Sequence, residues 1–184
     1  DVYRRRVGPD HSTTLQAESN LGLLYQAWGK LDQAEGIIRD TLERRRRTLG
    51  REHPEAFDDL VDLFCVLEAR HKDKEAEAVR REALEIYPAA VRSGRPASLA
   101  STDRIGLTLL YEDRFAEAKP IYEALLSVAE KAFPRGDPRP GVYQFRYGAC
   151  LEHVGNWKDA ERNLLEGHAR LNAALGPKHP WTID

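Results

Sequence analysis

The sequence predicts an all-α fold, a solenoid of about four helical hairpins, and three observations predict it. A short motif recurs at fixed spacing: LGREHP at Leu49 to Pro54 returns as LGPKHP at Leu175 to Pro180, 126 residues or three periods of 42 later. The other phases carry VGPDHS (Val7 to Ser12), VRSGRP (Val91 to Pro96) and FPRGDP (Phe133 to Pro138). Between these motifs, apolar residues follow helical spacing. One phase holds alanine four times, at Ala34, Ala76, Ala118 and Ala160. A fixed period of this length is the mark of a stacked array, each repeat burying the face of its neighbour.

Each element follows from this frame. Leu15, Ala17, Leu21, Leu24 and Tyr25 recur at three- and four-residue spacings and predict the buried face of a first helix. Gly29 then supplies a left-handed residue past the helix end. A second helix runs through Leu31, Ala34, Ile37, Ile38, Thr41 and Leu42 to Leu49. The connector is a stop followed by a start: Gly50 ends one helix, His53 acts as N-cap, and Pro54 takes the first helical position, where a missing N–H costs nothing. Asp137 ahead of Pro138 is a stronger cap, since its carboxylate also complements the helix dipole. The expected repeats are 12–49, 54–91, 96–133 and 138–175 in a single array over 1–184. Residues 1–7 read as the tail of a preceding repeat and 180–184 as the start of a following helix. With no methionine anywhere, position 1 included, the chain reads as an excerpt from a longer polypeptide.

The period transfers residue by residue. Gly22 becomes Phe64, Gly106 and Gly148, while Leu31 becomes Asp73, Phe115 and Trp157. The alanine phase marks a close contact where a larger side chain would force the two helices apart. Departures are local. Phe64 stands where the other repeats have glycine. Pro88 falls inside the second helix of its repeat and, at a cost of ~3 kcal/mol or more, predicts a kink or stop near Tyr87. Repeats two and three are therefore expected to meet at a different angle or through a longer loop. Pro120 lies in about the first turn of its helix, where it has little to lose.

Composition narrows the functional classes. A chain of 184 residues can bury roughly 70% of its unfolded surface, and its net charge of −2 creates no field for nucleic acid or an anionic membrane. Cys65 and Cys150 lie in different repeats and form no CxxC pair, against a disulfide framework or a zinc site. No apolar run approaches the ~18 residues that span a bilayer, and no secretory leader opens the chain, so a cytoplasmic protein is expected. His11, His53 and His179 share one phase at a turn and are spread along the array; no catalytic residue is expected. His71, His153 and His168 show no metal-binding spacing, so neither metal nor cofactor is expected. The arginines of Glu43 to Arg47 wrap all round a helix, and those of Arg4 to Arg6 share their phase. Both read as a solvated convex face, not as a nucleic-acid contact.

Gly22, Tyr25, Gly29, Ala34 and Leu42 together resemble the tetratricopeptide-repeat pattern. The 42-residue period, the AEAKPIY of Ala116 to Tyr122 and the LGxxHP connector resemble more narrowly its kinesin-light-chain-like branch, over about residues 8 to 180. The resemblance implies a right-handed α-α superhelix whose concave groove is lined by the first helix of each hairpin. It also implies a scaffold that binds a partner protein or peptide there, as part of a larger protein. The alternative is a structural or oligomerising spacer that positions a neighbouring signalling domain. By the same resemblance, one groove column reads Asn20, Asp62, Arg104 and Arg146, and Ser19, Val61, Asp103 and Phe145 flank it. The column changes sign. Asp58, Asp62 and Glu68 face one end, and Arg104 and Arg146 the other, where Tyr111 and Phe145 add apolar contact and an acidic residue of a peptide is the expected ligand. The competing account pairs Arg104 with Asp103 or Asp62. Uncapped ends, including Val2 and Trp181, make self-association a further expectation.

Overall fold

The computed structural model describes residues 2–180 and Thr182, and among these every regular element is an α-helix. The chain divides into two compact units, residues 1–90 and 91–184. The first contains α1 (Val2–Val7), α2 (Ser12–Ala27), α3 (Leu31–Leu49), α4 (Pro54–Ala69) and nearly all of α5 (Asp73–Arg92). The second contains α6 (Pro96–Tyr111), α7 (Phe115–Ala132), α8 (Arg139–His153) and α9 (Trp157–Leu175). Of the helix expected over 180–184, residues 181, 183 and 184 lie outside the described residues, and Pro180 and Thr182 stand in turns.

The hairpin turn is the same object four times. A left-handed residue falls at Gly29 (φ 71°), His71 (φ 55°), Asp113 (φ 57°) and Gly155 (φ 81°), each 42 after the last. The connector repeats as well. His11 and His53 are both N-caps, each ring Nδ1 accepting from the backbone N–H two residues on, Thr13 at 3.2 Å and Glu55 at 3.3 Å. The histidines of the recurring motif thus close helix starts. Asp137 also accepts from the Arg139 N–H, at 2.9 Å, but α8 starts at Arg139, so the cap position falls to Pro138 and not to Asp137 as expected. Thr14 donates to the Gly8 carbonyl at 2.8 Å, and four periods later Thr182 donates to the Gly176 carbonyl at 2.7 Å. Two of the later connectors depart from this register: Gly94 and Gly136 take positive φ two residues beyond the phase of Gly8, Gly50 and Gly176.

The expected stop near Tyr87 is not found. Helix α5 continues through Pro88 to Arg92, and only residues 93–95 link it to α6, so the expected longer loop is also absent. Proline removes one hydrogen bond, to the Leu84 carbonyl, but Ala90 and Val91 beyond it are buried. Burying a valine contributes about 1.5–3 kcal/mol, comparable to the proline's penalty, and keeps the last turn in place.

Packing within a hairpin turns on the glycine phase. A methyl added at Gly22 would lie 2.6 Å from Ile38 Cγ1, one at Gly106 3.0 Å from the Tyr122 ring, and one at Gly148 2.8 Å from Leu164 Cγ and 2.9 Å from its backbone nitrogen. Ile38, Tyr122 and Leu164 share one phase of the 42-residue period. Where Phe64 replaces glycine, Arg80 stands at the partner phase, and both are buried. The alanine phase is buried in all four repeats.

The face expected to be buried on α2 is corrected. Leu15 is buried, with Thr14, Ser19 and Gly22, but Leu21, Leu24 and Trp28 are 38%, 42% and 60% exposed. Helices α3 and α4 pack against the buried side, and the short α1 reaches only the first half of α2, where Arg4 pairs with Glu18.

Gly148→Ala is expected to destabilise the protein by about 1–3 kcal/mol in urea unfolding, through overpacking against the Leu164 backbone. An open helix position such as Gly36 has nothing within 4 Å of an added methyl. There the same change should instead stabilise by up to about 1 kcal/mol.

Candidate functional site

In the first unit the sites grow from α3 and α4. Arg44 and Arg45 are buried, and Arg45, only 1% exposed, is among the largest side chains wholly inside the protein. Arg45 meets Asp59 at 2.9 Å and Glu55 at 2.9 Å, and Ser19 of α2 donates to Asp59 at 2.6 Å. Arg44 reaches Asp10, Glu18 and Asp40, Arg46 reaches Glu82, and Arg47 reaches Asp10. The expectation of a solvated convex face is therefore corrected for Arg44, Arg45 and Arg46, whose guanidiniums are committed to carboxylates from other elements or from the preceding turn, whereas Arg47 stays exposed and pairs with Asp10 at the surface. Spacing along α3 alone could not reveal this, because every partner except Asp40 lies on α2, α4, α5 or the connector.

Asp59 is the chemical centre of this cluster. It is 2% exposed, and Asp62 one turn along α4 is 6% exposed. Burial pushes the Asp59 carboxyl up to about 7, against the opposing pull of Arg45 and Ser19, and the neighbouring Asp62 and Asp58 add to the push. Glu35 shows the opposite balance. Despite the upward push of burial, hydrogen bonds from Arg39 and Lys72, with the charge of Arg70, hold it at about 2.

In the second unit the site is built around α8. Arg146, half-buried, forms an ion pair with Asp103 of α6, one of the carboxylates that the competing account gave to Arg104. The buried Tyr122 of α7 lies beside this pair, and burial, then the Asp103 charge, hold its phenol well above the ordinary range. Val142, Phe145, Arg146 and Leu171 line a pocket of about 190 Å³. Gly167 of α9 sets the position of Phe145: an added methyl would lie 2.7 Å from the Phe145 backbone nitrogen, so only glycine lets the two helices come this close. The arrangement presents one cation at the rim of an apolar hollow, smaller than the roughly 300–1,000 Å³ typical of small-molecule sites. A larger cavity of about 380 Å³ lies at the connector between α7 and α8, where Glu130 and Arg170 on its wall already pair with each other.

The residues predicted for the groove thus have different settings. Asn20 is exposed and accepts from Gln16 at 3.1 Å. Asp58 and Glu68 are half-buried, and Asp62 is withdrawn from solvent. Arg104 is half-buried, Phe145 is 44% exposed, and Tyr111 at the end of α6 is 82% exposed. The structure brings Arg146 and Phe145 to one pocket, and Asp58 and Asp62 to the flanks of Asp59. Sequence reasoning missed Arg45, Asp59, Val142, Gly167 and Leu171. Gly167 alone carried a signal, as a glycine inside a helical pattern away from its ends.

Burial pushes the Cys150 thiol up to about 11, which disfavours the nucleophilic thiolate. Among the described residues no group of three or more His, Cys, Asp or Glu side chains is placed to hold a metal ion, and no helix is long and apolar enough to cross a membrane.

Two units of antiparallel helical hairpins with recurring turns, caps and glycine contacts define the class: a helical-repeat protein of the tetratricopeptide kind. Residues 14–55 match the family model described as tetratricopeptide repeat. The chain's repeats are similar to those of kinesin-light-chain-like proteins. It is 21% identical over 177 residues to a clustered mitochondria protein homolog of Emericella nidulans, covering 96% of this chain and 14% of that relative. It is 35% identical over 66 residues to Protein KINESIN LIGHT CHAIN-RELATED 2 of Arabidopsis thaliana, covering 36% of this chain and 10% of that protein. The chain therefore spans a small part of the length of these relatives. Its fold matches the crystal structure of BtubC (BKLC) from P. vanneervenii with a TM-score of 0.67 at 20% identity, over 91% of this chain and 66% of that one. It also matches a putative kinesin light chain with nearly identical TPR-like repeats from Podosopora anserina with a TM-score of 0.63 at 20% identity, over 95% and 82%.

The Asp59 setting makes a signed prediction. A carboxyl with a raised folded value holds its proton better folded than unfolded. Its stabilisation is therefore full below about pH 4 and is lost as pH rises toward 7. The unfolding free energy of the wild type relative to Asp59→Asn should fall across that window in urea titrations. A flat difference would contradict the assignment.

Proposed function

We propose that this chain is a protein-interaction scaffold without chemistry of its own, and that its second unit receives an acidic residue of a partner peptide at Arg146. The observation that carries this reading is the half-buried Arg146 guanidinium at the rim of the pocket lined by Val142, Phe145 and Leu171. Asp103 holds the guanidinium in place, which lowers the entropy lost when a second carboxylate arrives. The pocket suits one apolar side chain next to that carboxylate. Arg104 on α6 and the exposed Tyr111 extend the same recognition to a second acidic and a second apolar residue of the peptide. The half-buried Asp58 and Glu68 of the first unit, with the exposed Asn20, form a separate surface of opposite sign, suited to a basic residue, while Asp62 is withdrawn beneath it.

Arrays of this kind mediate protein–protein contact, and among the described residues nothing resembles a metal cluster. An array of short labelled peptides varying in acidic and apolar residues tests the reading. Arg146→Ala should weaken the best acidic peptides about tenfold or more, because a hydrogen bond to a charged group contributes roughly 1.5–3 kcal/mol. Replacing the peptide's acidic residue by its amide should have the same effect, and adding Arg104→Ala should weaken binding further. Unchanged binding in the double variant contradicts the site.

A further inference from the structure

We infer that the cavity at the α7–α8 connector is a second binding site, and that it takes a partner peptide carrying a carboxylate beside a leucine- or phenylalanine-sized side chain. This does not rest on the groove reading, because Arg146 and its pocket take no part. At about 380 Å³ the cavity falls within the roughly 300–1,000 Å³ typical of small-molecule sites, room enough for such a group. The buried Phe133, Pro140 and Gly141 form its floor, and the exposed Glu130, Arg135 and Ala173 its rim. All of them lie inside the second unit.

The choice of ligand comes from the period, because the other repeats fill this place with their own side chains. Leu15, Phe57 and Leu99 are buried at one phase of the first three repeats, and the fourth has Gly141 there. Helix α9 takes part of the space, since a methyl on Gly141 would lie 3.0 Å from Arg170 Cβ, and the remainder stays open. The polar half is missing as well. In the first repeat the connector supplies Asp10, whose carboxylate accepts from Arg44 at 3.0 Å and from Arg47 at 2.9 Å, and Arg44 also donates to the Pro9 carbonyl. In the fourth repeat Gly136 stands for Asp10 and Arg135 for Pro9, and Arg170, at the phase of Arg44, pairs with Glu130 of α7 instead. The nearby Asp137 is committed to Arg139, through its backbone N–H and its guanidinium. Among the described residues Arg135 pairs with no carboxylate. A ligand carboxylate beside Gly136 thus takes the role of Asp10, with Arg135 and Arg170 as its partners, and the adjoining apolar side chain takes the role of Leu15. Nor is this the seat of a following helix. Arg44 and Arg47, at the phases of Arg170 and Ala173, pair with Asp10, Glu18 and Asp40 even though α4 and α5 come after them.

Chemical-shift mapping on the isotope-labelled chain tests this, with short peptides that place a glutamate next to a leucine or phenylalanine, in either order, among glycines and serines. The amide resonances of Gly136, Gly141 and Ala173 should move on titration. Replacing the glutamate by glutamine, or Arg135 by alanine in the protein, should each weaken binding about tenfold, the usual loss for a hydrogen bond to a charged group. Replacing the leucine by alanine should weaken it too, and Ala173→Phe should abolish it by closing the rim. Glu130→Gln should strengthen it, because Arg170 then has no competing carboxylate, a gain that a merely structural role does not produce. Because Glu130, Arg135 and Ala173 are exposed, circular dichroism should report unchanged folding of these variants. Arg146→Ala should leave this binding as it is. Absence of shifts at Gly136, Gly141 and Ala173 with every peptide overturns the inference. So does binding that survives Ala173→Phe, or binding lost with Arg146→Ala, which would place the peptide in the groove.

Discussion

Each unit depends on how closely the two helices of a hairpin approach. At Gly22, Gly106 and Gly148 the first helix has no side chain to hold the second away, and Ile38, Tyr122 and Leu164 fill the space a methyl would need. The alanine phase does the same from the other helix. Because this contact sets the rotation of the first helix about its own axis, it also decides which residues turn inward and which face solvent. Arg146 reaches Asp103, and Phe145 borders a pocket, because Gly148 and Gly167 let α8 and α9 come together on a register that larger residues would forbid.

Charge sets the second level of organisation. An exposed ion pair contributes roughly 0–1 kcal/mol, so the surface links between repeats, such as Arg39 with Glu75, guide register more than they stabilise. The Arg45–Asp59 pair is different, because both partners are withdrawn from water and removing one would strand the other. It ties three helices at one point through Ser19, Arg45 and Asp59, and it costs desolvation that shows as the raised Asp59 value.

Much of the fold was legible because it is written four times. The left-handed turns, the histidine N-caps and the alanine phase are local chemistry, readable from spacing, and the start and end of α3 fall where Leu31 and Leu49 predict. What spacing could not convey is which neighbour a residue meets. Leu21 and Leu24 have helical spacing yet are exposed, since periodicity says that a face is apolar and not that something covers it. The buried arginines of α3 look solvated in isolation because all their carboxylates but Asp40 are supplied from 10 to 36 residues away, Glu55 and Glu82 among them. Pro88 obeys its local rule only until tertiary burial at Ala90 and Val91 outweighs it. In the candidate site, the phase pointed to Arg146 and Phe145, but Asp103 as partner and Gly167 as the seat of Phe145 needed three dimensions.

The close approach within a hairpin can be tested by a double-mutant cycle at Gly22 and Ile38, where an added methyl would meet the Ile38 side chain and no nearer backbone. The account predicts that Gly22→Ala destabilises the wild type. In an Ile38→Ala background the same change should be neutral or stabilising, by up to about 1 kcal/mol from helix propensity. Equal destabilisation by Gly22→Ala in both backgrounds would contradict the claim that this contact spaces the helices.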